Sequence, residues 1–580
     1  MKKKSLQRLF AVVLTATMAM GTFTACGDSA STSTSTETKT ESKAETTAES
    51  KAETTAAETT AATDAVAGIE GYEPFAEEVT LTIPVYDRGK EGVPAIGTGE
   101  NYWEGWLQEN FGDQYNIKLE FEPIPRGDVL NAYNLLAAAE DLPTFLMEYD
   151  YPKQAQWVAD GFLTTYDLDE FAQIAPTYYQ RMVDLGQIQY TDMNDETYFV
   201  LAERPYFNTN YQFITWVRMD WLEQVGYDHI PANREEYVDA MTKIQEAGIC
   251  EHPAGGSMTT GTAGMDQNYA YRTYPLNQEE WAMYGDYAIP SLGWEPNKKL
   301  LKVANEDYNL GFTDPDFYTI DATTAEANFV NGKAYSYSAY IAADMPVLKS
   351  FYENNPDAKL AVQVQNNVED TAAGTVPAFR SNNPFGMMIG FSSQASEDEI
   401  KAAMMYMEWL TQEENLFEFQ WGVEGENYTI GEDGLPVSVA DYAGEYTQGY
   451  NNSKDYWCVT IEARNAGTIE DTIGAMSPKG LPQDFTQDII DNYYAQVEAS
   501  EKGWVPVDCM FATDIASVAE YQGTLLSLYA ELRDALVMCD PAEFDALYEE
   551  SATKYAEAGY TAITEERLEA LNNGLSSTLE

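Results

Sequence analysis

The sequence predicts an α/β chain folded as two lobes with additional helices toward its C-terminus. Two observations carry this. Strand-like and helix-like stretches alternate from residue 79 to residue 147. Behind a low-complexity leader, about 505 residues remain, too many for one hydrophobic core.

The chain opens MKKKSLQRLFAVVLTATMAMGTFTACG. Four basic residues, Lys2, Lys3, Lys4 and Arg8, precede an apolar run from Leu9 to Phe23. That run has the length of a signal-peptide core and is short for a membrane span. It ends in Thr24-Ala25-Cys26, small residues before a cysteine, as in a bacterial lipobox. Residues 1–25 therefore read as a lipoprotein signal and Cys26 as the lipidated residue. From Gly27 to Gly71 there is no aromatic residue, and ETTA recurs at 45–48, 53–56 and 58–61. Such a segment buries too little apolar surface to offset the entropy of ordering, so residues 26–75 are expected to be a disordered tether.

Charge excludes one class of partner. The whole chain carries a formal net charge of −62. Without the signal, 29 Lys and Arg face 95 Asp and Glu, a net of −66. Nucleic acid needs a basic footprint and is not expected as a partner. The cysteines after Cys26 stand at 250, 458, 509 and 539 with no CxxC, and the histidines are His229 and His252 alone. Neither a zinc knuckle nor histidine chemistry is indicated, and no cofactor or metal is expected.

The elements follow in order. Residues 79–85, VTLTIPV, alternate as a strand. Asn101-x-x-Glu104 is a capping-box pattern before a helix carrying Trp103, Trp106 and Leu107. Residues 117–121, IKLEF, alternate again. Asp128 is placed to cap a helix with Leu130, Tyr133 and Leu136 on one face. Pro143 bars its continuation, and Phe145-Leu146-Met147 reads as a buried strand. Strands joined by such helices should be parallel, with right-handed crossovers. Farther on, Asp220 is expected to cap a short helix ending at Gly226, and Asn233-x-x-Glu236 and Ser396-x-x-Glu399 to open two more. Residues 326–340 read as a helix end, an Asn-Gly turn and an alternating strand. Leu525, Leu528, Tyr529 and Leu532 keep helical spacing.

In open parallel sheets, ligands bind beyond the carboxyl ends of the strands. Tyr86-Asp87-Arg88 directly follow the first strand, and Glu148-Tyr149-Asp150-Tyr151 the third. If these strands are neighbours, the two groups line one crevice.

Five short motifs resemble the extracellular solute-binding proteins of ABC importers, the group that includes maltose-binding protein. Ala138-Ala139-Glu140-Asp141-Leu142-Pro143-Thr144-Phe145 is similar to "small-small-Gly-Asp-Leu-Pro-Asp-Ile", with Glu140 in place of glycine and Thr144 in place of aspartate. Ala159-Asp160-Gly161-Phe162-Leu163, followed by Tyr166-Asp167-Leu168, resembles "ADG-x-L…DL". Arg218 to Gly226 resembles "RKDWLDKLG" of the oligosaccharide-binding lipoproteins. Phe329 to Ala334 resembles "F-x-x-GKAA", and Gly422 to Tyr428 "GIEGVHY".

The resemblance implies a two-lobe periplasmic-binding-protein-like fold with a ligand cleft between the lobes and extra C-terminal helices. Its expected segments are 76–210 for lobe 1, 211–380 for lobe 2, 381–435 for a return to lobe 1, and 436–580 for lobe 2 and the C-terminal helices. It implies a monomer, anchored by lipid outside a monoderm bacterial cell, that captures a carbohydrate and hands it to membrane permease subunits without doing chemistry. Sugars offer hydroxyls and apolar C–H faces, which carboxylates, amides, arginines and aromatic rings recognise. The expected contacts are Asp87 and Arg88 by their place after the first strand, Glu148, Tyr149, Asp150, Tyr206, Asn208, Tyr211 and Tyr340 on family position, and Trp421 and Tyr428 flanking the glycine-rich loop, with Arg88 also able to serve as a structural clamp on a carboxylate. Two other readings stay open: a surface glycoside hydrolase, which needs two carboxylates across the scissile bond, and a peptide-binding lipoprotein without a transport role.

Overall fold

The computed structural model describes residues 69, 71–88, 95–206, 209, 211–254, 278–285, 289–341, 345–363, 383–439, 450–464, 466–502 and 509–576. Cys26, the tether up to residue 68, and Asn208 lie outside them. Among the described residues no helix is long and apolar enough to cross a membrane.

Among the described residues, ten strands of three residues or more build the sheets. They are β1 (Val79–Asp87), β2 (Ile117–Pro125), β3 (Phe145–Glu148), β4 (Phe199–Leu201), β5 (Phe213–Arg218), β6 (Ser336–Tyr340), β7 (Leu360–Gln363), β8 (Met388–Phe391), β9 (Tyr428–Ile430) and β10 (Pro436–Ser438). β1 and β2 pair in parallel from Val79↔Ile117 to Asp87↔Pro125. β3 runs beside β1: Thr144 N–H donates to the Thr82 carbonyl, Thr82 N–H donates to Thr144 Oγ1, and Tyr86 Oη donates to the Met147 carbonyl. Residue 82 faces 144 and residue 86 faces 147, so the two strands point the same way, as the strand–helix order predicts. The late strand β8 then inserts antiparallel between β3 and β4. Leu81, Ile83, Leu146, Met147, Val200 and Ile389 form the centre of this first core.

A second sheet, ordered β6-β5-β7, is antiparallel throughout. Alternation along β5 sends Ile214 and Trp216 to one apolar cluster and Val217 to another, so both faces are covered. A third, helical cluster joins Trp281, Trp294 and Leu301 to Leu525, Tyr529 and Leu536 of the long helix Ala516–Met538.

Several local expectations change. Asn101 does cap its helix, accepting from Trp103 N–H at 3.0 Å. Glu104, however, does not close a capping box; its carboxylate accepts from Gly97 N–H at 2.8 Å and from Tyr456 Oη at 3.0 Å. Asp128 stands at the N-cap of Val129–Ala139, but its side chain makes no cap hydrogen bond. Asp220 lies inside the first turn of Met219–Gln224, where Arg218 grips it with two bonds of 2.9 and 2.7 Å. Ser396 and Glu399 do form the reciprocal box.

Tyr456, Trp457, Cys458, Val459 and Ile461, expected with lobe 2, pack in the first core. They are apolar and contiguous, and Tyr456 Oη is fixed there by Asn101 Nδ2 at 2.9 Å. The C-terminal helices pack with Trp281, Trp294 and Leu301, and the segment before them meets the first core where Tyr151 Oη donates to the Phe511 carbonyl.

Glu140 ends the helix Val129–Ala139 in the left-handed region, at φ 56°. Its N–H bonds the Ala137 carbonyl, and Asp141 N–H bonds that of Leu136. This is the glycine-preferring end of a helix, and the residue is exposed. Glu140→Gly is expected to stabilise the protein by about 1 kcal/mol, measured by denaturant unfolding, because the Cβ clash disappears.

Candidate functional site

The chain passes between the two sheets three times among the described residues, and the passages lie side by side. Ala202 N–H bonds the Met387 carbonyl, and Gly386 N–H bonds that of Ala202, both at 2.9 Å. Glu203 N–H bonds the Thr460 carbonyl at 2.8 Å, and Glu462 N–H bonds that of Glu203 at 2.9 Å. A Cβ on Gly386 would lie 3.2 Å from the Glu203 carbonyl oxygen and 3.1 Å from Glu462 Cβ, so glycine permits the approach.

Arg204 ties all three passages. Its guanidinium pairs with Glu462 through Nε and Nη2, the latter at 3.2 Å from Oε1. Its Nη1 donates to the Asn383 carbonyl at 3.1 Å. Burial would raise the Glu462 carboxyl, but Arg204 and Lys454 outweigh it and hold it below its ordinary value.

Beside these passages stand the carboxyl ends of β1, β2 and β3. Arg88 follows β1 and grips Asp455 with bonds of 2.8 and 2.7 Å, the clamp geometry. Arg126 follows β2; it lies 4.7 Å from the Tyr86 ring centroid and 5.9 Å from that of Tyr149, and its Nη1 is 3.4 Å from Glu148. Glu148 ends β3 fully buried, and Lys153 Nζ reaches it at 3.3 Å and Asp150 at 3.5 Å. Tyr149 is half-buried, and the Cys458 thiol donates to the Asp455 carbonyl at 3.7 Å. Burial, then Asp455, push that thiol up to about 12, so it stays protonated. Asp87 is exposed, and its carbonyl accepts from Arg126 N–H.

The structure thus brings Arg88, Glu148, Tyr149 and Asp150 together at one rim, with Asp87 beside them. From the second sheet Tyr340 meets this rim: Lys454 Nζ, next in chain to Asp455, sits 5.3 Å from its ring centroid. Tyr340 packs edge-on against Phe213, which is 48% exposed. Tyr206, at φ 58°, stacks edge-on with Tyr211 and Tyr493. Tyr211 is 1% exposed and belongs to the second lobe's core, so its ring presents no face to a ligand in this conformation. Trp421 is fully buried beneath Arg464, 4.6 Å from the ring centroid, and Tyr428 packs edge-on against Phe417. Glu148 also offers no open carboxylate; it is the counter-charge of Arg126 and Lys153.

Sequence reasoning missed Arg126, Lys454, Asp455, Arg204 and Glu462. The strand-end rule that selected Arg88 applies equally to Arg126, one residue past β2. The others carry no local motif; Arg204 stands on the first passage, and the late segment 450–464 brings Lys454, Asp455 and Glu462 to it and to the rim.

A family model described as bacterial extracellular solute-binding protein matches residues 97–416, more than half of the chain. The chain belongs to this family. No curated protein matches the chain. Among solved structures, the alginate-binding protein AlgQ2 without calcium ion aligns with a TM-score of 0.59 and 15% identity, covering 87% of this chain and 100% of that one. An HMO-binding, ABC-transporter-associated solute-binding protein from Bifidobacterium longum infantis aligns at 0.58 and 12%, covering 85% and 99%. The S. pneumoniae ABC-transporter substrate-binding protein FusA, in complex with kestose, aligns at 0.54 and 12%, covering 85% and 100%. Likeness at these identities is one of fold: two α/β lobes with a cleft between them.

Glu462→Gln leaves Arg204 facing a neutral amide and is expected to cost about 3 kcal/mol at pH 7. The Glu462 carboxyl is depressed below 4.5 in the folded state, so its contribution is complete above 4.5. The gap between wild type and variant should close as pH falls through the folded-state value. Denaturant unfolding from pH 7 to pH 3 measures this.

Proposed function

We propose that this protein is the substrate-binding component of an ABC importer. It captures a carbohydrate of oligosaccharide size by closure of two lobes about the Arg204 passages and delivers it to permease subunits in the membrane. Lipid on Cys26 holds it outside the cell, residues 26–75 act as its tether, it works as a monomer, and it does no chemistry on the ligand. Three adjacent passages between the sheets are the observation that carries this reading, because they are a hinge about which two lobes can turn. Family membership supports it, and so do fold neighbours described as binding alginate, HMO and kestose. Asp87, Arg88, Asp150, Tyr149 and Tyr340 form the proposed contact surface at the rim. Tyr206 and Asn208 are proposed contacts on the first passage. Tyr211, Glu148, Trp421 and Tyr428 act in this scheme as packed supports that a lobe movement would have to uncover before they touched ligand.

A panel of mono- and oligosaccharides tests the reading by thermal shift and product analysis. A saccharide at a hundred times its Kd stabilises by about 2.7 kcal/mol, a rise of several degrees in Tm, with no cleavage product. Released sugar would replace the reading with a glycoside hydrolase, and stabilisation by peptides alone with a peptide-binding lipoprotein. Small-angle scattering should show a more compact particle with the stabilising sugar. Separately, Cys26→Ser is expected to move the protein from the membrane fraction to the medium, read by fractionation and immunoblot.

A further inference from the structure

The first passage carries a strained residue. Tyr206 stands at φ 58°, in the left-handed region, where a bulky side chain is rarely found. A tight turn keeps it there: its carbonyl accepts from Thr209 N–H at 3.0 Å and from Thr209 Oγ1 at 2.9 Å. Strain of this kind persists only where the surroundings impose it, and it gathers at binding sites. Here it sets the place of a ring. Tyr206 packs edge-on against Tyr211 at 5.7 Å and Tyr493 at 5.8 Å between centroids, and stays half-buried.

Tyr493 is also the base for a further ring. Tyr494 lies 5.1 Å from it, centroid to centroid, and is 47% exposed. Its Oη donates to the carboxylate of Glu470, in the first turn of the helix Ile469–Met476. Ile469, Ile473, Ile489 and Tyr493 share a core with Ile214 and Trp216 of the second sheet. The group therefore belongs to the second lobe beside the first passage, whereas the ends of β1, β2 and β3 that make the rim belong to the first. The bond from Tyr494 holds the Glu470 carboxyl below its ordinary value, so it is ionised at neutral pH. A carboxylate has about four acceptor positions, and one phenol fills one of them.

The charges at the two places differ. At the rim, Arg88, Arg126, Lys153 and Lys454 stand with Asp87, Glu148, Asp150 and Asp455, and the bases are already engaged. Beside Tyr206 and Tyr494 the charge is the carboxylate of Glu470, in a chain that repels anions at long range. An ionised acceptor next to a half-exposed ring suits a group with neutral hydroxyl donors and an apolar face.

We infer that Tyr206, Tyr494 and Glu470 form a second-lobe subsite for a neutral pyranose unit, Glu470 accepting from its hydroxyls and the Tyr494 ring covering its C–H face. This rests on the carbohydrate-binding reading above and adds a subsite and the charge class of the unit that fills it. Because rim and subsite stand on different lobes, a ligand that reaches both has several units, and the short members of a series stop at the rim.

Calorimetry on the purified full chain tests this with neutral malto-, cello- and galacto-oligosaccharides of increasing length and with oligouronates. At least one neutral series should bind more tightly as it lengthens. Tyr494→Ala and Glu470→Gln should each weaken the longest member about tenfold and the shortest bound member less than about twofold. The double variant should lose little more than either single one, because phenol and carboxylate act as a unit. Tm values of the free variants verify that they fold, and Glu470→Gln, nearly isosteric, carries the test if Tyr494→Ala does not fold. Equal loss at every length, or no loss in the folded variants, would overturn the subsite and leave carbohydrate binding standing. Binding confined to the oligouronates would do the same. Binding of no saccharide would overturn both readings.

Discussion

Arg204 holds three stretches of chain at once. One side chain reaches the carboxylate of Glu462 and the carbonyl of Asn383 while its own segment pairs backbone to backbone with both neighbours. Removing a guanidinium and a carboxylate from water is expensive, and a pair of this kind often adds little net stability against an apolar replacement. Its value is in registry. Two sheets that share no strand have no hydrogen-bond ladder to relate them, so the pair that aligns the passages decides where each lobe's strand ends face. The rim contact that crosses between the lobes, Lys454 over Tyr340, depends on that alignment.

The rim is built from the ends of parallel strands, where β1, β2 and β3 deliver Arg88, Arg126 and Glu148 to neighbouring positions. Each charged group there is already engaged. Arg88 is spent on Asp455, and Glu148 on Arg126 and Lys153. Side chains fixed in this way lose little rotamer freedom when a ligand arrives, so the cost of ordering the site is met by folding rather than by binding.

Much of this was legible in the sequence, and the misses have physical causes. The β1–β2–β3 order, the Pro143 break and the Asn331-Gly332 turn each follow from a local rule, and they hold. Capping assignments fared less well. Glu104 has the right spacing for a reciprocal cap, but Gly97 and Tyr456 compete for its carboxylate, and Tyr456 is 352 residues away. Asp220 loses its cap role to the adjacent Arg218. Ser396 and Glu399 sit on an exposed helix start without competitors, and their box forms. The same contrast governs the rim. Residues that follow a predicted strand could be named in advance, whereas Lys454, Asp455 and Glu462 become neighbours only after a third passage that no local pattern announces. Rings were read as platforms because a ring carries no sign in a sequence of the cation that will cover it.

The helical cluster carries a consequence for the order of events in folding. Trp281, Trp294 and Leu301 pack against residues from 509 onward, and Asn305 Nδ2 closes the end of the long helix by donating to the carbonyls of Leu536, Val537 and Cys539. These partners are more than 230 residues apart. As the chain emerges N-terminus first, its middle segment must hold an apolar face in water until the last residues arrive. Loop closure over that span is an entropic barrier that local helix formation cannot lower. The cluster is therefore the last part of the molecule to become resistant to proteases, and a chain cut short near residue 500 would keep that apolar face open to other incomplete copies.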